Sequence, residues 1–284
     1  MNILTFDIEE WFHILDNDST KTESEWGKYE RRLDANMERV FGFLNERNLK
    51  ATFFCLGWVA REFQHVIKRI VEQGHELATH SDLHQLAYEQ TPAEFCADLE
   101  LSIKSLEDVS GTRIRAYRAP GFSLKEENKW IFEELIRAGI EVACSVFPAA
   151  RSHGGFAAFG SETPSVVKTA SGSIREFPIN TEKILGQSMI FSGGGPFRLL
   201  PSRLLHRFTR KSDYVMTYFH PRDFDPEQPM IPQLSAMRKF KSYYGLKQAQ
   251  SKLEGLLDAY EFISLRDAEE MIDWDDVPVI NLAQ

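Results

Sequence analysis

The chain is poor in cysteine, short of positive charge and without any apolar run long enough to span a bilayer. Its three cysteines, Cys55, Cys96 and Cys144, are odd in number, widely spaced and outside any CxxC pattern. That excludes a disulfide framework or a cysteine-based metal cluster and fits reduced core thiols. Lys and Arg number 33 against 42 Asp and Glu, a formal net charge of -9, whereas a general nucleic-acid or anionic-membrane binder needs the opposite balance. Local basic runs such as RLLHRFTRK at 203–211 read as solvated faces. No stretch approaches the roughly eighteen apolar residues of a spanning helix. The opening MNILTFDIEEW has no basic region followed by a long apolar one, so no signal peptide is read there and a soluble, cytoplasmic protein is expected.

What the 284 residues do hold is 43% hydrophobic side chains, enough for one large core. Short apolar runs alternate with amphipathic segments, the mark of repeated βα units. Strands are expected at 2–7, 51–57, 75–80, 113–120, 140–148 and 213–220. Between them, Leu33, Met37, Val40 and Leu44, then Phe63, Val66, Ile67, Ile70 and Val71, fall at helical spacing. Thr91, Pro92 and Glu94 form a capping box at the start of a further helix, 128–139 reads as another, and Gly74 stands where a helix should end. The turn-rich region 149–212, with short β pieces such as SIREFPI at 173–179, reads as an irregular insertion in a single domain, and 222–245 as a proline-rich loop before a helix at 246–260.

In parallel α/β folds the chemistry gathers at the C-terminal ends of the strands. Asp7 and Glu9, His80 and His84, Arg118, and His220 all lie at or just past such ends. On an extended backbone Asp7 and Glu9 share a face while Ile8 turns to the packing layer; a solvated acidic turn is the plainer alternative. His80 and His84 share a face if the chain turns helical after its strand, a spacing common to zinc sites and also to chance. Arg118 can hold a carboxylate in paired hydrogen bonds, and His220 can protonate a leaving group or be merely structural. Trp11, Phe12, Trp58, Phe122 and Phe197 could stack on sugars but read first as packing residues.

The ordered set TFD, HSDLH, RAPG and YFH, spread over residues 2 to 265, resembles the polysaccharide deacetylases (carbohydrate esterase family 4, the NodB-homology domain). DIEEWFH, SVFP, REFPI, GGGPFRLLP and YFHPRDFD resemble the branch found in bacterial exopolysaccharide gene clusters. The resemblance implies a distorted (β/α) barrel of about seven strands, with a single NodB-type domain over 1–284 and a family-specific segment at 222–284. It also implies one divalent metal, usually zinc, held by Glu9, His80 and His84. Asp7 is then the base, Arg118 orients it, the Gly121 N–H serves the oxyanion and His220 is the acid. The implied activity is removal of N-acetyl groups from an amino sugar, free, nucleotide-linked, lipid-linked or in a glycan, with release of acetate. Three features depart from the family. Ile8 replaces the second of two adjacent aspartates, and Val142, Ala143, Cys144 and Ser145 stand where an aspartate usually supports the catalytic histidine, leaving Asp223 or Asp225 as substitutes. Gly121 and Phe122 also replace the usual aromatic after RxP. Hydrolysis of another small amide, a two-histidine-one-carboxylate iron site and a non-catalytic carbohydrate binder are the competing readings.

Overall fold

Strands whose residues are all buried need cover on both faces, and here helices supply it from outside while the strands curl into a barrel. The computed structural model describes residues 1–15, 17–150, 154–184 and 186–283. Thr5–Ile8, Thr52–Cys55, Glu76–Thr79, Ala116–Tyr117, Val142–Ala143 and Gly172–Glu176 follow one another in parallel register. On the other side of the first strand, Asn2–Ile3 pairs with Val215–Met216 and Phe6 bridges Phe219, again parallel. These make the seven strands expected. The remaining seam is joined by side chains: Asn180 accepts from the Met216 N–H (2.8 Å) and the Tyr214 hydroxyl donates to the Pro178 carbonyl (2.7 Å). A barrel closed this way is distorted, because one seam lacks a backbone ladder.

The helices form where the apolar spacing places them. Leu33–Glu46 buries Leu33, Met37, Val40 and Leu44, and Gln64–Glu72 buries Val66, Ile67 and Ile70. Pro92–Ser110 begins at Thr91 with a complete capping box. Helices Gly57–Glu62, Ser202–Lys211 and Ala236–Tyr243 are not legible in the sequence; the first is short, the second buries only Leu205 and Thr209 and the last buries no residue, so apolar periodicity does not mark them. The basic run 203–211 is a helix that buries Leu205 and Thr209 and turns its charges outward.

Region 149–212 is more regular than its turn-rich sequence suggests. Ser165–Thr169 pairs antiparallel with Gly172–Glu176, and Glu182–Ile184 with Gln187–Met189. Trp11, Phe12, Trp58 and Phe197 are buried in the core and pack there, whereas Phe122 is buried yet also lines a pocket at the strand ends. Cys55 and Cys144 are core thiols, whereas Cys96 is partly exposed and donates to Glu134.

One buried carboxyl stands out. Glu176 is fully buried; its Oε1 accepts the N–H groups of Ser145 and Val146 (both 2.9 Å) while Oε2 has no partner. Burial pushes its pKa up to about 7, against the pull of the two backbone bonds and Arg118. A carboxyl whose folded pKa is raised destabilises the fold as pH climbs from its unfolded value through 7. Glu176→Gln is therefore expected to match the parent in thermal denaturation near pH 4.5 and to exceed it by about 3 kcal/mol above pH 8.

Candidate active site

Asp7 is the penultimate residue of the strand Thr5–Ile8, and Glu9 follows the strand directly. Both carboxylates line one pocket, while Ile8 is wholly buried in the core. His80 follows the strand Glu76–Thr79, and the chain does not turn helical after it. Ser81 and His84 instead adopt left-handed backbone (φ 73° and 57°). Such residues cost on the order of 1 kcal/mol each, and local bonds offset this. The Ser81 hydroxyl accepts from the His84 N–H (3.0 Å), and the Asp98 carboxyl accepts from the N–H groups of Asp82 and Leu83 (2.9 and 3.1 Å). A tight turn, not a helix face, brings the two imidazoles together.

Potential ligand atoms of Glu9, His80 and His84 all lie within 4.8 Å of one another, and all three residues are buried. His84 Nε2 stands 2.6 Å from Glu9 Oε2, yet that buried oxygen makes no aligned hydrogen bond. A carboxylate oxygen and an imidazole nitrogen that converge without bonding each other suit a cation between them. His80 Nδ1 lies 2.8 Å from the Arg118 carbonyl, which requires the proton on Nδ1 and leaves the Nε2 lone pair for a ligand. Burial raises the Glu9 carboxyl, but the His84 and His220 charges outweigh it and hold the pKa at about 2. Burial lowers His80 to about 4, so its imidazole is neutral at neutral pH, as a metal ligand must be.

Asp7 is fixed from behind. Arg118, fully buried, donates through Nη1 to Asp7 Oδ1 and to the Thr5 hydroxyl (both 2.7 Å), and its guanidinium lies 4.0 Å over the Phe54 ring. Arg118→Ala leaves a buried carboxylate without its partner, so a stability loss of about 3–5 kcal/mol is expected in denaturant titration.

His220 stands across the pocket, with Nε2 3.8 Å from Glu9 Oε1 and 4.0 Å from Asp7 Oδ2. Its Nδ1 meets Asp223 Oδ2 at 3.2 Å, and the same oxygen accepts the His220 backbone N–H (3.0 Å). Asp223 is held in turn by Arg198 Nη1 (2.6 Å). Burial opposes protonation of His220, but Glu9, Asp223 and Asp7 together raise its pKa to about 9. Of the two substitutes for the missing aspartate, the structure thus selects Asp223. Asp225 points away and clasps Arg32 (2.6 and 3.1 Å).

Gly121 lines the same pocket with φ 62°, and a Cβ there would meet Leu15 Cδ1 at 2.7 Å. The pocket, of about 260 Å³, is also walled by His13, Arg198, Arg222, Arg238 and Lys241, none of which had been singled out. His13 was visible only as the end of DIEEWFH. Its Nδ1 accepts the Glu10 N–H (3.2 Å), and burial lowers its pKa to about 3.

Fold and donor set together define a barrel protein with a candidate metal centre at its strand ends. Residues 13–142 match the family model described as polysaccharide deacetylase, and residues 144–270 match a domain of unknown function, DUF3473. A peptidoglycan-N-acetylglucosamine deacetylase of Bacillus cereus is 29% identical over 97 residues, 34% of this chain and 35% of that protein. A chitin deacetylase of Amylomyces rouxii is 27% identical over 111 residues, 39% of this chain and 26% of that protein. The chain thus spans about a quarter to a third of the length of the curated relatives it matches. In fold it is similar to a structure from Mycobacterium smegmatis assigned to the polysaccharide deacetylases (TM-score 0.65, 18% identity, 99% of this chain and 93% of that one). It is also similar to a family 4 pseudoenzyme of Bacillus anthracis (TM-score 0.51, 13% identity, 94% and 64%). Residues 13–142 thus carry a polysaccharide deacetylase domain of the NodB type, and the chain as a whole has the fold of carbohydrate esterase family 4 structures. The pocket draws on both matched regions: His80, His84, Arg118 and Gly121 lie in the first, and His220 and Asp223 in the second.

Proposed function

We propose that the protein hydrolyses the N-acetyl group of an amino sugar in bacterial polysaccharide biosynthesis, on the cytoplasmic side, with zinc held by Glu9, His80 and His84. The observation that carries this reading is the convergence of three units on one pocket: the Glu9–His80–His84 donor set, the Arg118–Asp7 pair and the Asp223–His220 pair. A cation bound there would supply Lewis acidity to the acetyl carbonyl and to the attacking water.

The protein's own groups do the rest. Asp7, oriented by Arg118, takes the proton of the water as it attacks. The Gly121 N–H donates to the oxygen on which charge develops. His220 Nε2 delivers a proton to the departing sugar nitrogen, while Asp223 fixes the ring through Nδ1 and favours its charged form. Acetate and a free amino sugar leave.

Loss of the motif aspartate near Ala143 would favour a carbohydrate-binding pseudoenzyme, but Asp223 restores the support that the histidine needs. The test is acetate release from N-acetylated sugar carriers, measured beside ammonia release from small amides with the same metal supplied. Acetate alone supports the proposal; ammonia alone points to the small-amide hydrolase, and glycan binding without either product to a pseudoenzyme.

A further inference from the structure

The pocket carries charge that the hydrolysis just described does not use. Arg222 lines it and is only 8% exposed. Its Nε donates to Gln228 Oε1 (3.0 Å), a neutral amide, its guanidinium carbon lies 5.7 Å from the Tyr243 ring centre, and its Nη2 is buried without a hydrogen-bond partner. The other two buried arginines each hold a carboxylate, Arg118 that of Asp7 and Arg198 that of Asp223. Among the described residues, Arg222 forms no ion pair. A guanidinium taken out of water without a counter-ion costs several kcal/mol, a cost that an arriving anion would offset.

Nothing already in the pocket fills that need. Asp7 is taken by Arg118, Asp223 by Arg198 and His220, and Glu9 lies against His84. Lys241, exposed on the helix Ala236–Tyr243, lines the same wall and also has no ion pair among the described residues. An acetamide and sugar hydroxyls would offer these cations only neutral acceptors.

We infer that the pocket accepts a substrate with an anionic group, phosphate or carboxylate, beside the acetamido sugar, and that Arg222 and Lys241 bind this anion. The inference rests on the deacetylase reading and narrows its substrate class. Arg222 offers paired N–H donors shaped for either anion, and Lys241 a mobile point charge at the rim. Arg222 lies two residues past His220 in the single turn Pro221–Phe224, so one short element holds both the anion site and the group that protonates the leaving nitrogen. With a net charge of -9 over the chain, this cationic wall is a local exception that draws the anion to the pocket. A sugar joined through a diphosphate to a carrier and an amino sugar beside a uronic acid are the two sources of such a group.

The test uses the full chain with three probes: a neutral N-acetylglucosamine tetramer, UDP-N-acetylglucosamine, and an N-acetylglucosamine–glucuronic acid oligomer. Acetate release is measured with zinc supplied, and dissociation constants are measured by calorimetry with and without it. One anionic probe is expected to exceed the neutral one by about tenfold or more in kcat/KM and in affinity. That preference should fall about tenfold in Arg222→Gln, recover in part in Arg222→Lys, and shrink with added salt. Lys241→Gln, at an exposed site where folding is not at risk, should lower it about threefold. The favoured probe identifies the source. Equal or better use of the neutral tetramer, or a preference unchanged in both glutamine variants, overturns the inference while leaving the deacetylase reading in place. Arg222-dependent binding of an anionic probe with no acetate from any probe sustains the anion site and removes the deacetylase reading instead.

Discussion

His84→Ala is expected to lower acetate release by about 10³-fold or more and to abolish stoichiometric metal binding, because it takes one of three donors from a site with no spare ligand among the described residues. Asp7→Asn serves as its counterpart. Asp7 lies outside the donor set, held by Arg118, so the variant should keep its metal and lose about 10²–10⁴-fold in kcat, the usual weight of a general base. Metal analysis of the purified proteins beside acetate release separates the two effects. Should both variants release acetate as fast as the parent, the assignment of the site is wrong.

His220→Ala is expected to cost about 10²–10⁴-fold in kcat, since it removes the imidazole placed across from the donor set for proton delivery. Asp223→Asn should do less at low pH and more at high pH. His220 has a folded pKa raised to about 9, with Asp223 among its causes, and the acid works only while protonated. Removing the Asp223 charge lowers that pKa, so the alkaline limb of the pH–rate profile must move to lower pH. A cation bound at Glu9 would offset the share that Glu9 contributes, which leaves Asp223 as the main support. The linkage runs the same way in stability. The contribution of a histidine with a raised folded pKa is complete below about pH 6.5 and is lost as pH rises through about 9, and the variant should lack part of it. A pH–rate profile that does not shift in Asp223→Asn would show that the aspartate only shapes the loop.

Arg222, Arg238, Lys241, Arg198 and His13 show why part of the site could not be read in advance. Arg238 and Lys241 sit on a helix that buries no residue, so no apolar rhythm marks it, and the basic run RKFK at 238–241 looks like any solvated face. The choice between Asp223 and Asp225 was equally closed. They stand two apart, yet the turn Pro221–Phe224 points one at His220 and the other at Arg32, a difference of backbone direction within one short loop.

The local code was strong where it acts within a few residues. Periodicity placed the helices beginning at Leu33 and Gln64, the capping box at Thr91 fixed the start of a third, and alternation across Ile8 put Asp7 and Glu9 on one face. The sequence by itself determined the parallel βα order, and with it the rule that Asp7, Glu9, His80, His84, Arg118 and His220 stand at one rim. Tertiary structure alone decided how the rim closes. Two left-handed residues, in place of a helix turn, bring the histidine pair inward, side chains bridge the last seam, and Asp223 replaces an aspartate that the chain lacks. Each of these depends on contacts between residues far apart in the chain or on the direction of a single turn, and neither leaves a periodic trace in the sequence.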